Sequence, residues 1–283
     1  MLPCSTTWWC RPISNGGKRV AKRNNDSIAK TLTVVLVLCL VCSVVVAGSA
    51  VGLKSRQQEQ RLLDKQRNIL DVAGMLQPKM SPDDIQQIYA SRISPRLVNL
   101  ASGEFEQGAA ADNFDQAAAL RDNQQSIALP PAQDIAGIQR RSNLVEIYLV
   151  RNEQDKVEQI ILPVYGVGLW SMMYAFVALD ADGSTVRGLS YYDHGETPGL
   201  GGEIENPHWR AKWIGKQLLD QQGQPALRVV KGGASPDDVH AVDGLSGSTL
   251  TANGVQHTFT FWLGDLGFGP FLKNVREGAL NNG

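Results

Sequence analysis

Residues 143–193 read NLVEIYLVRNEQDKVEQIILPVYGVGLWSMMYAFVALDADGSTVRGLSYYD, and this stretch decides the fold class. Its runs NLVEIYLVR, KVEQIILPVYG, MMYAFVALD and STVRGLSYYD are rich in β-branched and aromatic side chains, which pack well on a pleated surface. NEQD separates the first pair and DADG the second, so the stretch predicts two β-hairpins of one sheet.

Toward the C-terminus the texture changes. HGETPGLGGE is a Gly-rich loop, Asn206 and Pro207 start a helix in NPHWRAKWIGK, and a strand is expected around ALRVV. A last helix follows DGLSGST, with Val255, Phe259 and Trp262 or Leu263 on one face and Gly264 as its stop. Toward the N-terminus, Leu62, Leu63, Ile69, Leu70 and Val72 recur among charges in a helix ending near Gly74. SPDDIQQIYASRI has a Ser cap, Pro at the first helical position and acids in the first turn, which predicts another helix. Residues 101–135 have weak periodicity, and Pro130 and Pro131 break any helix there, so a surface excursion or interdomain linker is expected. Hairpins mixed with helices indicate an α+β fold, an antiparallel or mixed sheet with flanking helices, rather than a doubly wound parallel sheet.

Residues 31–53, TLTVVLVLCLVCSVVVAGSAVGL, carry no charge and are closed by Lys30 and Lys54. About 20 apolar residues suffice for a helix to span a bilayer. Gly48-Ser49-Ala50 resembles a leader cleavage site, but the run exceeds the apolar region of about 7–15 residues in a secretory leader, so a retained transmembrane helix is expected. Arg11, Lys18, Arg19, Lys22, Arg23 and Lys30 precede it and Lys54, Arg56, Arg61, Lys65 and Arg67 follow, so charge does not set its orientation. The expected organisation is an N-terminal segment at 1–30, the span at 31–53, a membrane-proximal helical region and linker at 54–140, a ligand-binding domain at 141–264 and a tail at 265–283.

The formal charge of −1 on 283 residues, with no long basic run beyond the N-terminal region, argues against a nucleic-acid partner. All cysteines lie at Cys4, Cys10, Cys39 and Cys42, so disulfides, thiolate metal sites and cysteine catalysis are excluded after residue 42. Cys39 and Cys42 form C-x-x-C inside the apolar run, which reads as a packed helix face rather than a redox or haem motif. His194, His208, His240 and His257 are dispersed without metal-ligand spacing, so no metal is expected. Ser246 lies near His240 and Asp243, but GLSGS is not the G-x-S-x-G elbow of a hydrolase, and no catalytic residue is assigned.

Two segments remain. DGLSGSTLT, residues 243–251, gathers the hydroxyls of Ser246, Ser248, Thr249 and Thr251, which suits either a capped helix start or a phosphate site at a helix N-terminus. HGETPGLGGE allows close backbone approach to a flat ligand, with Glu196 and Thr197 offering polar contacts, or is a plain structural turn. Its GLGG lacks the spacing of a dinucleotide fingerprint.

DGLSGSTLT, HGETPGLGGE, LPVYGVGLWSMMYAFVALD and the tail FWLGDLGFGPFL together resemble the C-subunit family of bacterial sodium-translocating NADH:quinone reductases, from Val20 to the end. The resemblance implies a membrane-anchored flavoprotein with FMN joined by a phosphoester bond to Thr249, placed there by a flavin transferase. Asp243 and Ser246 match the recognition positions, small Gly247 and Ser248 keep the hydroxyl accessible, and Ser248 departs from the usual Ala. It further implies that Glu196, Thr197, Gly199 and Leu200 face the isoalloxazine ring and that the soluble domain is periplasmic. Electrons would be relayed one at a time toward ubiquinone alongside the other subunits of a membrane complex, with the corresponding Rnf-type subunit or a non-redox extracytoplasmic binding module as alternatives. Residues before Val20 have no counterpart in the family, so a start at Val20, leaving out Cys4 and Cys10, is also expected.

Overall fold

The computed structural model describes residues 27–107, 111 and 114–282. The expectations for residues 1–19, including Cys4 and Cys10, lie outside the described residues. The chain divides into two compact units, Met1–Gln58 and Glu59–Gly283. The first contains the apolar part of helix α1 (Ile28–Val72), whose most apolar window has a mean hydropathy of 2.9 and no buried residues. By length and composition this helix is able to cross a membrane, which fits a single-pass membrane protein. Cys39 and Cys42, expected on a packed face, are free and exposed because this stretch has no protein packed against it.

In the second unit the predicted hairpins form. Strands β1 (Ile93–Asn99), β4 (Leu144–Arg151), β5 (Val157–Val167), β6 (Met172–Asp180) and β7 (Val186–Asp193) make one sheet in the order β1-β4-β5-β6-β7. Every neighbouring pair in it is antiparallel. Two short ribbons accompany it: β2 (Ser126–Ala128) against β3 (Arg140–Ser142), and β8 (Arg228–Val230) parallel to β9 (Ala241–Asp243).

Residues of both faces are buried, which explains their near-continuous apolar runs. One face, including Ile147, Leu162 and Val177, shares a core with Val255, Phe259 and Trp262 of helix α5 (Thr249–Leu263) and Phe271 of α6 (Gly269–Arg276). The opposite face, including Tyr148, Ile161 and Phe176, packs with Ile69, Leu70 and Val72 of α1 and Ile85 of α2 (Pro82–Arg92). Helix α2 opens with the expected Ser81 cap, as a capping box with Asp84. Asp71, near the end of α1, pairs with Arg210 at 2.7 Å and accepts a hydrogen bond from the Ser190 hydroxyl.

One expectation is corrected. Residues 54–140 are not a separate helical region and linker, because β1 pairs with β4 from Ile93↔Val150 to Asn99↔Leu144 and the compact unit begins at Glu59. The 101–135 stretch also contributes α3 (Gln116–Arg121) and β2. Nor does packing stop at residue 264, since Phe268, Phe271, Leu272 and Val275 of the expected tail are buried in the main core.

Candidate functional site

Three segments meet at one end of the sheet: the β5–β6 turn, the Gly-rich loop after β7, and the start of α5. The Thr197 carbonyl accepts the amides of Leu200 and Gly202 at 3.1 and 2.9 Å, folding the loop into a 3-10 turn over Gly201–Glu205. Ser171 of the β5–β6 turn holds the loop by accepting the Gly195 amide at 2.6 Å. A side chain at Gly201 would place Cβ 2.6 Å from both the Glu196 carboxylate and the Thr251 hydroxyl, so the close approach of loop and helix requires glycine. Gly247 turns the chain into α5 with φ of 74°, a left-handed conformation glycine adopts without strain.

The three segments enclose a cleft of about 360 Å³ lined by Leu169, Trp170, Glu196, Thr197, Leu200, Gly201, Gly247, Ser248, Thr249 and Leu250. Its apolar rim is exposed, with Trp170 at 70% and Leu250 at 60% of full accessibility. Below the rim it is polar and closed. Glu196 is 4% exposed; one carboxylate oxygen accepts the amides of Leu169 and Trp170, each at 2.9 Å, and the other accepts the Thr251 hydroxyl at 2.6 Å. Buried Ser248 precedes α5 as its N-cap, yet its hydroxyl makes no capping bond and lies 2.9 Å from Thr251 Oγ1. The first-turn amides of α5 are thus uncapped by that side chain, and Thr249 is exposed beside them.

Of the residues singled out in the sequence, Glu196, Thr197, Leu200, Gly247, Ser248 and Thr249 line the cleft, whereas Gly199, Asp243 and Ser246 do not. Glu196, expected against a flavin ring, turns its carboxylate into the protein because three donors converge on it there. Asp243, at the end of β9, accepts hydrogen bonds from Lys212 and the Ala234 amide, while its carbonyl accepts the Trp209 indole N–H at 2.7 Å. The Lys212 ammonium, followed by the Ala234 amide, holds the Asp243 carboxyl below the ordinary aspartate range. It braces the approach to α5 from outside the cleft. Leu169, Trp170 and Leu250 were not anticipated; an exposed Trp at a hairpin tip is the signal that marks the first two.

His194 also holds the loop. Its Nδ1 accepts the Glu196 amide at 3.1 Å and its Nε2 lies 2.9 Å from Glu205. Among the described residues no cluster of three or more His, Cys, Asp or Glu side chains forms a metal-binding group.

A model of the FMN-binding domain family matches residues 168–264, which include the turn, the loop and α5. The C subunit of the Na(+)-translocating NADH-quinone reductase of Yersinia pestis is 71% identical over 261 residues, covering 92% of this chain and 98% of that protein. The chain belongs to this C-subunit family. The corresponding Vibrio parahaemolyticus protein is 56% identical over 262 residues, covering 91% of this chain and 99% of its own length. The crystal structure of Shewanella oneidensis NqrC superposes with a TM-score of 0.71 at 36% identity, covering 79% of this chain and all of that one. Membership of this family sets aside the Rnf-type alternative.

The cleft fits an FMN group. Free first-turn amides suit a phosphate, Thr249 offers a hydroxyl with no partner among the described residues, and the apolar rim suits a ring.

Proposed function

We propose that FMN is joined through a phosphoester bond to Thr249 Oγ1 and that this protein relays electrons between other subunits of a Na(+)-translocating NADH:quinone reductase, from NADH toward ubiquinone. The observation that carries the reading is that Thr249 is exposed, lines the cleft and starts a helix whose N-cap side chain is turned away from the first-turn amides. Those amides and the helix dipole are suited to hold the remaining phosphate charge. Leu169, Trp170, Leu200 and Leu250 would offer apolar surface to a bound ring, and Thr197 and Gly201 of the Gly-rich loop line the same cleft. When bound, FMN supplies the electron-carrying chemistry, while the chain supplies position and surroundings.

Attachment needs an activated flavin nucleotide and a flavin transferase. A P–O bond to Thr249 forms, the bond from phosphorus to the leaving nucleotide breaks, and the hydroxyl proton is released. We place the soluble domain on the periplasmic side of the inner membrane with α1 retained as its anchor; the free thiols of this chain's described residues lie only in α1, which suits that compartment.

Thr249→Val keeps the side-chain shape and removes the oxygen. Full-length protein co-expressed with a flavin transferase is expected to gain the mass of FMN less one water and to fluoresce after denaturing electrophoresis, and the variant to do neither. Wild-type flavin mapped by mass spectrometry to a residue other than Thr249 overturns the assignment.

A further inference from the structure

Four hydroxyls crowd the start of α5, and a transferase seeking one of them needs the others withdrawn. We infer that Glu196 selects the acceptor: a hydrogen-bond chain from Ser248 through Thr251 to the Glu196 carboxylate withdraws two of the hydroxyls and leaves Thr249 presented. The inference rests on the reading of Thr249 as the flavin-bearing residue.

The direction of the chain follows from donor counting. A hydroxyl has one proton. Thr251 gives its proton to Glu196 at 2.6 Å, so at the 2.9 Å contact Ser248 is the donor and Thr251 the acceptor. The protons of Ser248 and Thr251 are both committed inward, and both side chains are buried. Ser246 is exposed but does not line the cleft, which leaves Thr249 as the one of these four hydroxyls that is both exposed and cleft-lining.

Diverting Ser248 has a second effect. A serine at this position ordinarily caps the first-turn amides through its side-chain oxygen. Here that oxygen is held by Thr251 instead, so the hydrogen bonds that silence a competing hydroxyl also leave the amides free for a phosphate. Glu196 is therefore a positioning residue that acts through Thr251 and touches no reacting atom.

The test is peptide mapping by mass spectrometry of full-length protein co-expressed with a flavin transferase. In wild-type protein the flavin is expected on Thr249; finding it elsewhere defeats the underlying reading rather than this inference. With the chain intact, Thr249→Val is expected to carry no flavin. Adding Thr251→Val frees the Ser248 hydroxyl, and the mass of FMN less one water is expected to appear on the Ser248 peptide, where the single variant shows none. Adding Thr251→Ser to Thr249→Val instead keeps the chain and is expected to leave the protein bare. Glu196→Gln with Thr249→Val retains the shape but presents an amide donor to Thr251, releasing Ser248 from its donor role, and is expected to reroute the flavin as well. This second pair decides the matter if Thr251→Val impairs folding. Flavin on Ser248 in Thr249→Val alone, or rerouting in neither the Thr251→Val nor the Glu196→Gln combination with native melting retained, overturns the inference.

Discussion

Replacing Glu196 with Ala tests whether one buried carboxylate holds the cleft together. The substitution removes the acceptor for the amides of Leu169 and Trp170 and for the Thr251 hydroxyl. Thr251 has no accessible surface and would keep only its 2.9 Å contact with Ser248, so losing the carboxylate that accepts its proton costs about 1–3 kcal/mol. The two amides belong to a turn with exposed side chains and are open to water once released, so each loses only about 0.5–1.5 kcal/mol. The combined loss is expected at about 2–6 kcal/mol, a large part of the roughly 5–15 kcal/mol that stabilises a typical domain. Glu196→Gln keeps an acceptor for the amides and is expected to cost about 1–2 kcal/mol, so the order of stability is wild type, Gln, Ala. The assay is urea unfolding of the full chain in mild detergent followed by tryptophan emission, with 70%-exposed Trp170 reporting directly on the turn. A loss below about 1 kcal/mol in the Ala variant refutes the reasoning, since the buried hydrogen bond from Thr251 to the carboxylate alone is worth that much.

Gly201→Ala is expected to destabilise by about 1–3 kcal/mol, because its Cβ falls 2.6 Å from Glu196 Oε2 and Thr251 Oγ1; an unchanged melting temperature contradicts the close approach. Lys212→Met removes the partner of Asp243, whose folded pKa lies below its unfolded value of about 3.9, so the pair stabilises above about pH 4 and its effect is lost as the pH falls through the lower folded value. Because Lys212 is half exposed, the loss is at most about 1 kcal/mol; comparison of urea midpoints at pH 7 and pH 3 is expected to show a larger effect at the higher pH. Deleting residues 1–53 is expected to leave a soluble, folded domain, since the compact unit begins at Glu59; aggregation in gel filtration without detergent contradicts this.

The legible parts of the fold were those with strong local signals. The β4–β5 and β6–β7 hairpins announce themselves through apolar runs and turn residues, and α5 through its periodicity and its stop at Gly264. Strand β1 does not, because ISPRLVN is short and contains Pro95, a residue tolerated in sheets chiefly at an edge, which is where β1 lies. Within the candidate site, the Gly-rich loop and the hydroxyl cluster stand out by composition. The Glu196–Thr251 hydrogen bond joins residues 55 positions apart, and no local pattern encodes it. Nor does a local pattern show that Asp243, close in sequence to the hydroxyls, is held outside the cleft by Lys212 and the Ala234 amide.

The openness of the cleft gives a physical reason for a covalent tether. Sites that retain a small molecule without a bond commonly enclose most of its surface, and ordering the ligand consumes part of the interaction energy. Here the apolar rim faces outward and the polar base is already saturated by contacts among Glu196, Thr251, Ser248 and the turn amides. Few groups remain to grip a ring from below, so affinity must come from elsewhere. On the proposed reading, a phosphoester to Thr249 would make occupancy independent of that weak grip, because a tethered ring meets its cleft at an effective concentration set by the linker rather than by free flavin. On that reading, the same openness would leave the outer edge of a bound ring free for exchange with a partner protein. On the proposed reading, saturation below and exposure above are complementary requirements of one site: the hydrogen bonds that fix the acceptor hydroxyl also use up the polar groups that would otherwise bind the flavin reversibly.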